Sequence, residues 1–332
     1  MRTLYIMVLP LFMSGCANAQ SMVNATRLEL VGEPLPAIRH ITDMKMSGDT
    51  LLFVFETEDG FGQRFLRRAV VNQDNNMLTI STDMGKRDDG YYSSYMPYPF
   101  IADDGSVRVI SQDDCEIYTI EQDTAFSRTK QYLMSGNSSV PIPLSQYVQD
   151  VFMTAPEKYV FIGREPNGGC QYAMNADLSL AKIDTIRQIN ISPDLHAWMP
   201  NTGELAYSKK YKRLFFAYRL HPVIEIFGLD GPMINRLAVA DPIFDPATLE
   251  EADLETLNPL NFVDITATDD FIYALYWGHK YGEAGAPRIY QLDWDGNIIA
   301  QHLLHEDIHK IAALDSGTLI GWTGKEFFSI SF

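Results

Sequence analysis

The stretch DITATDDFIYALYWGHKYGEAGAPRIYQLDWDGNIIAQHL, Asp264 to Leu303, decides the fold. It holds four short runs rich in β-branched and aromatic residues. Turn signals part them: Asp269-Asp270, the loop Gly278 to Pro287, and Asp295-Gly296. Asp-Gly between alternating apolar runs is a strong hairpin signal. The stretch therefore reads as one four-stranded antiparallel unit. Such a unit cannot bury both of its faces and needs neighbours of its own kind.

The rest of the chain supplies them. Aligning on the first turn gives Gly48-Asp49, Asp104-Gly105, Glu157-Lys158, Tyr211-Lys212, Asp269-Asp270 and Ser316-Gly317. An apolar strand follows each, then a third run. An Asp marks the second turn at Asp74, Asp123, Asp177, Asp230 and Asp295. The last copy stops at Phe332, short of a fourth strand. Thr26 to Val31, TRLELV, alternates like a strand and has no partner of its own. Radial repetition of small sheets is one way for β architecture to protect its edges. The expectation is an all-β chain: a single six-bladed β-propeller of four-stranded antiparallel blades over residues 26–332, its ring closed by the N-terminal strand.

Residues 1–15 carry Arg2 and the apolar run Leu4 to Met13, too short to cross a bilayer and typical of a secretory signal. Met13-Ser14-Gly15-Cys16 resembles a bacterial lipobox. The resemblance implies lipidation at Cys16, a tether over residues 16–25, and an outer-membrane location in the cell envelope. An ordinary signal peptide, cleaved near Ala17 to Ala19, is the other reading. The formal net charge of −17 would repel a phosphate backbone, so nucleic acid is excluded as a partner. A monomer is expected.

The repeat, with Tyr207 to Gly231 (YSKKYKRLFFAYRLHPVIEIFGLDG) and Asp264 to Gly296 at its strongest, resembles the TolB-like six-bladed propeller lipoproteins of Bacteroidetes-type bacteria. The resemblance covers the mature chain. It implies architecture and location, and no activity.

In a propeller, the loops between second and third strands share one face with those between blades, and here these loops are long. Long loops on a rigid scaffold are where binding surfaces gather. Candidate binding residues are Arg164, Arg219, His221, His279, Lys280 and Arg288, either a patch for an anionic ligand or ordinary surface charge. Tyr91, Trp198 and Trp277, with Tyr92, Tyr95 and Trp322, offer stacking surfaces for a sugar or peptide, or close the core. Asp245-Pro246 ahead of ATLEEADLETL predicts a short helix.

The residues leading each innermost strand align as Asp43, Pro99, Asp150, Glu204, Asp264 and Lys310. Asp43, Asp150, Glu204 and Asp264 would ring the channel mouth. Such oxygens suit Ca²⁺, could work as an acid–base pair, or could satisfy backbone N–H groups where blades meet. No other cofactor is expected. His305-Glu306-Asp307-Ile308-His309 matches the zinc-protease pattern H-E-x-x-H, but the repeat needs strand and loop there, not helix. Cys115 and Cys170 are expected as unpaired thiols, because adjacent blades diverge beyond disulfide reach. Two functions stay open. One is a lipid-anchored propeller that binds a protein, peptide or glycan through its loop-rich face. The other is a metal-dependent, lactonase-like or esterase-like hydrolase at the carboxylate ring.

Overall fold

The computed structural model describes residues 20–332 apart from 59–63, 85–96, 103–104, 112–115, 122–124, 133–147, 165–168, 181, 194, 241–257 and 284. Three short strands lead: β1 (Gln20–Met22), β2 (Ala25–Arg27) and β3 (Glu29–Gly32). Then come β4 (Ile38–Ser47), β5 (Thr50–Thr57), β6 (Arg64–Asn72) and β7 (Met77–Met84). The second group is β8 (Pro97–Ile101), β9 (Val107–Ser111), β10 (Glu116–Glu121) and β11 (Ala125–Tyr132). The third is β12 (Val148–Ala155), β13 (Lys158–Arg164), β14 (Gln171–Asp177) and β15 (Lys182–Ile189). The fourth is β16 (Gly203–Ser208), β17 (Arg213–Tyr218), β18 (Val223–Gly228) and β19 (Met233–Ala238). The deciding stretch gives β20 (Leu260–Ala267), β21 (Ile272–His279), β22 (Arg288–Leu292) and β23 (Ile298–Leu303). The chain ends in β24 (Lys310–Ala313), β25 (Leu319–Trp322) and β26 (Phe327–Ile330).

The architecture is an all-β propeller with four-stranded antiparallel blades. The described strands form six sheets; three run inner to outer in chain order throughout, and three end on an outer strand taken from the N-terminal stretch. The Asp295-Gly296 turn behaves as its sequence demands. Gly296 sits at φ +87°, and a Cβ there would lie 2.4 Å from Ile226 Cδ1. Only glycine meets both conditions cheaply.

Apolar clusters fuse each sheet to the next. Val54 and Val109 belong to one cluster, Ile110 and Phe161 to another, and Ile162 and Phe216 to a third. Ile226 joins Tyr276, and Leu275 joins Leu319. Phe53, of the first sheet, packs with Ile320 and Phe327 of the last, the Phe53 and Phe327 rings 5.5 Å apart. Fully burying each such side chain contributes about 1.5–3 kcal/mol.

The N-terminal stretch departs from expectation. Thr26 to Val31 is not one strand. Residues Ala25–Arg27 pair antiparallel with β26, Thr26 opposite Ser329. Leu28 then sinks into the core, 2% exposed. Glu29–Gly32 cross to the first sheet and lie parallel to β7. Pairing begins earlier still: Gln20–Met22 run parallel to β23. Within the stretch expected as a tether, residues 16–25, Gln20–Met22 and Ala25 already stand in strands, and three successive sheets share one N-terminal strap. The predicted helix near Asp245, and Cys16, fall outside the described residues. Among the described residues no helix is long and apolar enough to cross a membrane.

Candidate functional site

The innermost strands bring most of the aligned ionisable residues to the axis. Asp264 on β20 accepts from Lys310 Nζ at 3.1 Å and from the backbone N–H of Ile311 at 2.7 Å. Lys310 Nζ also stands 3.7 Å from Glu204 Oε1, which accepts from Arg219 Nη2 at 2.6 Å. Asp150 Oδ2 accepts from the Leu205 N–H at 2.9 Å and from Gln149 Nε2 at 3.4 Å. Asp150 and Asp264 thus each reach the backbone of the next inner strand and tie neighbouring blades. Asp43 has Lys45 Nζ at 3.7 Å from Oδ2. Pro99, the one uncharged residue of the six aligned positions, is buried on β8.

Asp150 owes its direction to a local break. Its φ is +51°, and the β12–β13 register slips between Gln149 and Phe152. Asp tolerates this left-handed backbone better than most residues. The slip is a β-bulge, which re-aims side chains.

These groups perturb one another. Burial, then the neighbouring Glu204, pushes the Asp150 carboxyl up to about 8. Burial raises Asp264 to about 6, although Lys310 pulls against it. Burial would raise Glu204 as well, but Lys310 and Arg219 outweigh it and hold that carboxyl below its ordinary value. For Lys45 burial works downward, yet Asp43, Asp150, Glu204 and Asp264 together hold its ammonium above the usual range. Lys310 is raised likewise, burial opposed and overcome by Asp264 and Glu204.

A cavity of about 320 Å³ starts at this cluster. Asp43, Asp150, Glu204 and Asp264 line one end. Lys209, Asp269 and Asp315, all exposed turn residues between first and second strands, line the other. The cavity therefore faces the tight-turn side, not the loop-rich side. The carboxylates form its floor rather than an open mouth. Two ammonium groups stand beside these carboxylates, Lys45 by Asp43 and Lys310 by Asp264 and Glu204. Among the described residues no three His, Cys, Asp or Glu side chains group as a metal site.

Lys45 is the site residue that sequence reading missed. Its signal was available: it lies two positions after Asp43 on one strand, and period-two residues share a face.

The expected basic patch is dispersed. Arg164 is 5% exposed. It donates to Gln149 Oε1 at 2.6 Å and Gln171 Oε1 at 3.2 Å, and its guanidinium lies 3.9 Å over the Trp198 ring. His221 is buried; its Nε2 donates to the Pro200 carbonyl at 2.9 Å, and burial lowers it to about 4. Arg219 turns toward the axis. His279 and Trp277 stack at 5.1 Å, with Tyr281 beyond and exposed. Lys280 adjoins that stack and Arg288 is exposed at the start of β22. Trp322 is buried and packs on Phe327, closing core. Tyr91, with Tyr92 and Tyr95, lies outside the described residues.

The zinc-protease pattern fails on geometry. His305 and His309 lie between β23 and β24, with no helix to set them on one face. His309 instead stands 5.0 Å edge-on to Trp277. Cys170 Sγ accepts from Gln188 Nε2 at 3.4 Å, and Cys115 is outside the described residues.

No family model matches the chain, and no curated protein matches it. Solved structures do. A calcium-binding regucalcin from Agrobacterium tumefaciens aligns with TM-score 0.53 at 10% identity, over 94% of this chain and 95% of its own. A DUF4221 family member from Bacteroides vulgatus gives 0.53 at 12%, over 94% and 99%. A protein of unknown function from Bacteroides thetaiotaomicron gives 0.54 at 11%, over 93% and 76%. Similarity this low in sequence concerns architecture alone, and the chain is by fold a β-propeller.

Proposed function

We propose that this protein is a TolB-like, six-bladed propeller lipoprotein of the cell envelope that binds the end of a peptide, protein segment or glycan in its axial cavity. The cavity carries this reading. Its volume of about 320 Å³ falls within the range of small-ligand sites. Its walls offer Phe152 and Tyr207, and its floor the four carboxyls. Loop-face residues Arg164 and His221 are spent on internal hydrogen bonds, which moves the binding reading from that face to the channel.

Six sheets, with β2 on β26 and the first sheet packed on the last, support the closed six-bladed ring. The lipobox-like Met13 to Cys16 supports the anchor, acting as a monomer in the outer membrane. Among the described residues pairing begins at Gln20, four positions after Cys16, so the rim beside β23 would lie close to the bilayer.

A thermal-shift screen of peptides, amino acids and saccharides tests the binding role. Hits should disappear in Ala267→Trp, which fills the cavity wall, and persist in Trp198→Ala. Hits that ignore Ala267→Trp would refute the site.

One observation favours a hydrolase as second reading. Burial and Glu204 push the Asp150 carboxyl up to about 8, while Lys310 and Arg219 hold Glu204 below its ordinary value, which offers an acid and a base within one site. Turnover of simple lactones or esters, lost in Glu204→Gln, would establish it. No turnover in the folded protein would dismiss it.

A further inference from the structure

The cavity floor is unevenly neutralised. Glu204 and Asp264 have Lys310 and Arg219. Asp43 has Lys45. Asp150, 8% exposed, forms no ion pair among the described residues. Both of its hydrogen bonds arrive at Oδ2, which leaves Oδ1 for whatever the cavity holds. Asp43 Oδ2 is buried with no hydrogen bond at all.

The wall already receives one ammonium. Lys45 Nζ lies 5.2 Å over the Phe152 ring, and Phe152 meets Tyr207 at 6.2 Å. Both rings line the cavity. Aromatic faces attract cations, more so out of water. Toward the exposed end, Asp269 and Asp315 stand with Lys209.

We propose that the cavity takes a compact primary ammonium, such as the amino end of a peptide or an amino sugar, seated among Asp43, Asp150 and the Phe152–Tyr207 wall. This rests on the cavity being the binding site and names the ligand's chemical class. The charged groups facing Asp150 are Asp43 and Lys45 from β4 and Glu204 from β16, and Glu204 in turn faces Asp264 from β20, Lys310 from β24, and Arg219. A cation arriving beside Asp150 favours its carboxylate over its protonated form, and the proton leaves to solvent. Ammonium and proton therefore compete.

Calorimetric titration of the full-length protein with 1,4-diaminobutane, and with uncharged 1,4-butanediol, tests the inference. The diamine stays charged well above neutrality, as lysine does. The diamine should bind at least tenfold more tightly than the diol. Its affinity should rise on the order of tenfold from pH 6.5 to 8.5. Asp150→Asn keeps an acceptor for the Leu205 N–H and should abolish that rise. Equal binding of diol and diamine, or a diamine affinity indifferent to pH in the wild-type protein, would overturn it. If saccharides or peptides without an amine bind and Ala267→Trp blocks them, the ammonium falls while the cavity stands. Should every ligand ignore Ala267→Trp, the cavity falls with it.

Discussion

Lys310 shows how much a single buried ammonium carries here. It touches Asp264 directly and faces Glu204, and all three side chains are largely buried. Removing one partner of a buried pair leaves charge without compensation, which typically costs about 3–5 kcal/mol. Lys310→Met should lose about that much, read from the urea midpoint. An effect below about 1 kcal/mol would mean water reaches these carboxylates freely. Asp150 has the opposite sign. Its folded carboxyl is raised to about 8, so from roughly pH 4 to 8 unfolding releases its proton. Its contribution is complete below the ordinary carboxylate value and is lost as pH climbs through about 8. Asp150→Asn should flatten that decline and raise stability at pH 7 by about 1–2 kcal/mol. His221, lowered to about 4, contributes stability above its ordinary value of about 6.5 and loses it as pH falls through about 4. Asp43, Asp150, Glu204, Asp264 and Lys310 were legible because the repeat aligns them at one position per blade. Arg164 and His221 were misread because residue type and loop position do not reveal which way a side chain turns.

At the scale of elements, the N-terminal strap is the informative feature. β1, β2 and β3 each cover the outer edge of a different sheet, and Leu28 anchors the crossing. Unpaired outer edges invite association. Leu28→Ala should cost about 2–5 kcal/mol, the usual range for a buried leucine, measured by thermal or chemical unfolding. A chain beginning at Glu33 should melt lower and scatter light at concentrations where the full chain stays clear. Equal melting of the two would show that the strap is decoration. The alternation of TRLELV made a strand legible in the sequence. Its division at Leu28 was not, because which edge a strand joins is set by the geometry of the assembled sheets. The parallel pairings of β1 and β3 were hidden for the same reason, since alternation says nothing of direction.

For the whole molecule, repetition explains both what could be read and what could not. Turn chemistry recurring along the chain specified blades, because each small sheet must bury itself against another. The cavity was illegible as a volume. It exists only where strands more than forty residues apart in sequence converge, as Asp150, Glu204 and Asp264 do. Where the cavity opens follows from which turns surround it, and the long loops drew attention to the other face. The proposed lipid anchor belongs to this scale as well. Cys16→Ala should move the protein from the membrane to the soluble fraction, since burial of acyl chains gives about 0.8 kcal/mol per CH₂. Unchanged partition would remove the lipid anchor from the account.

The buried charge cluster at the axis is the centre of the account, and the Asp150 proton reports on it without any ligand. Carboxyl-labelled aspartate in the intact protein, followed by carbon NMR across pH, would resolve that group, with Asp150→Asn assigning its signal. One aspartate should titrate near pH 8, and its signal should be absent from the variant. Titration of every aspartate in the ordinary carboxylate range, below about pH 5, would contradict it.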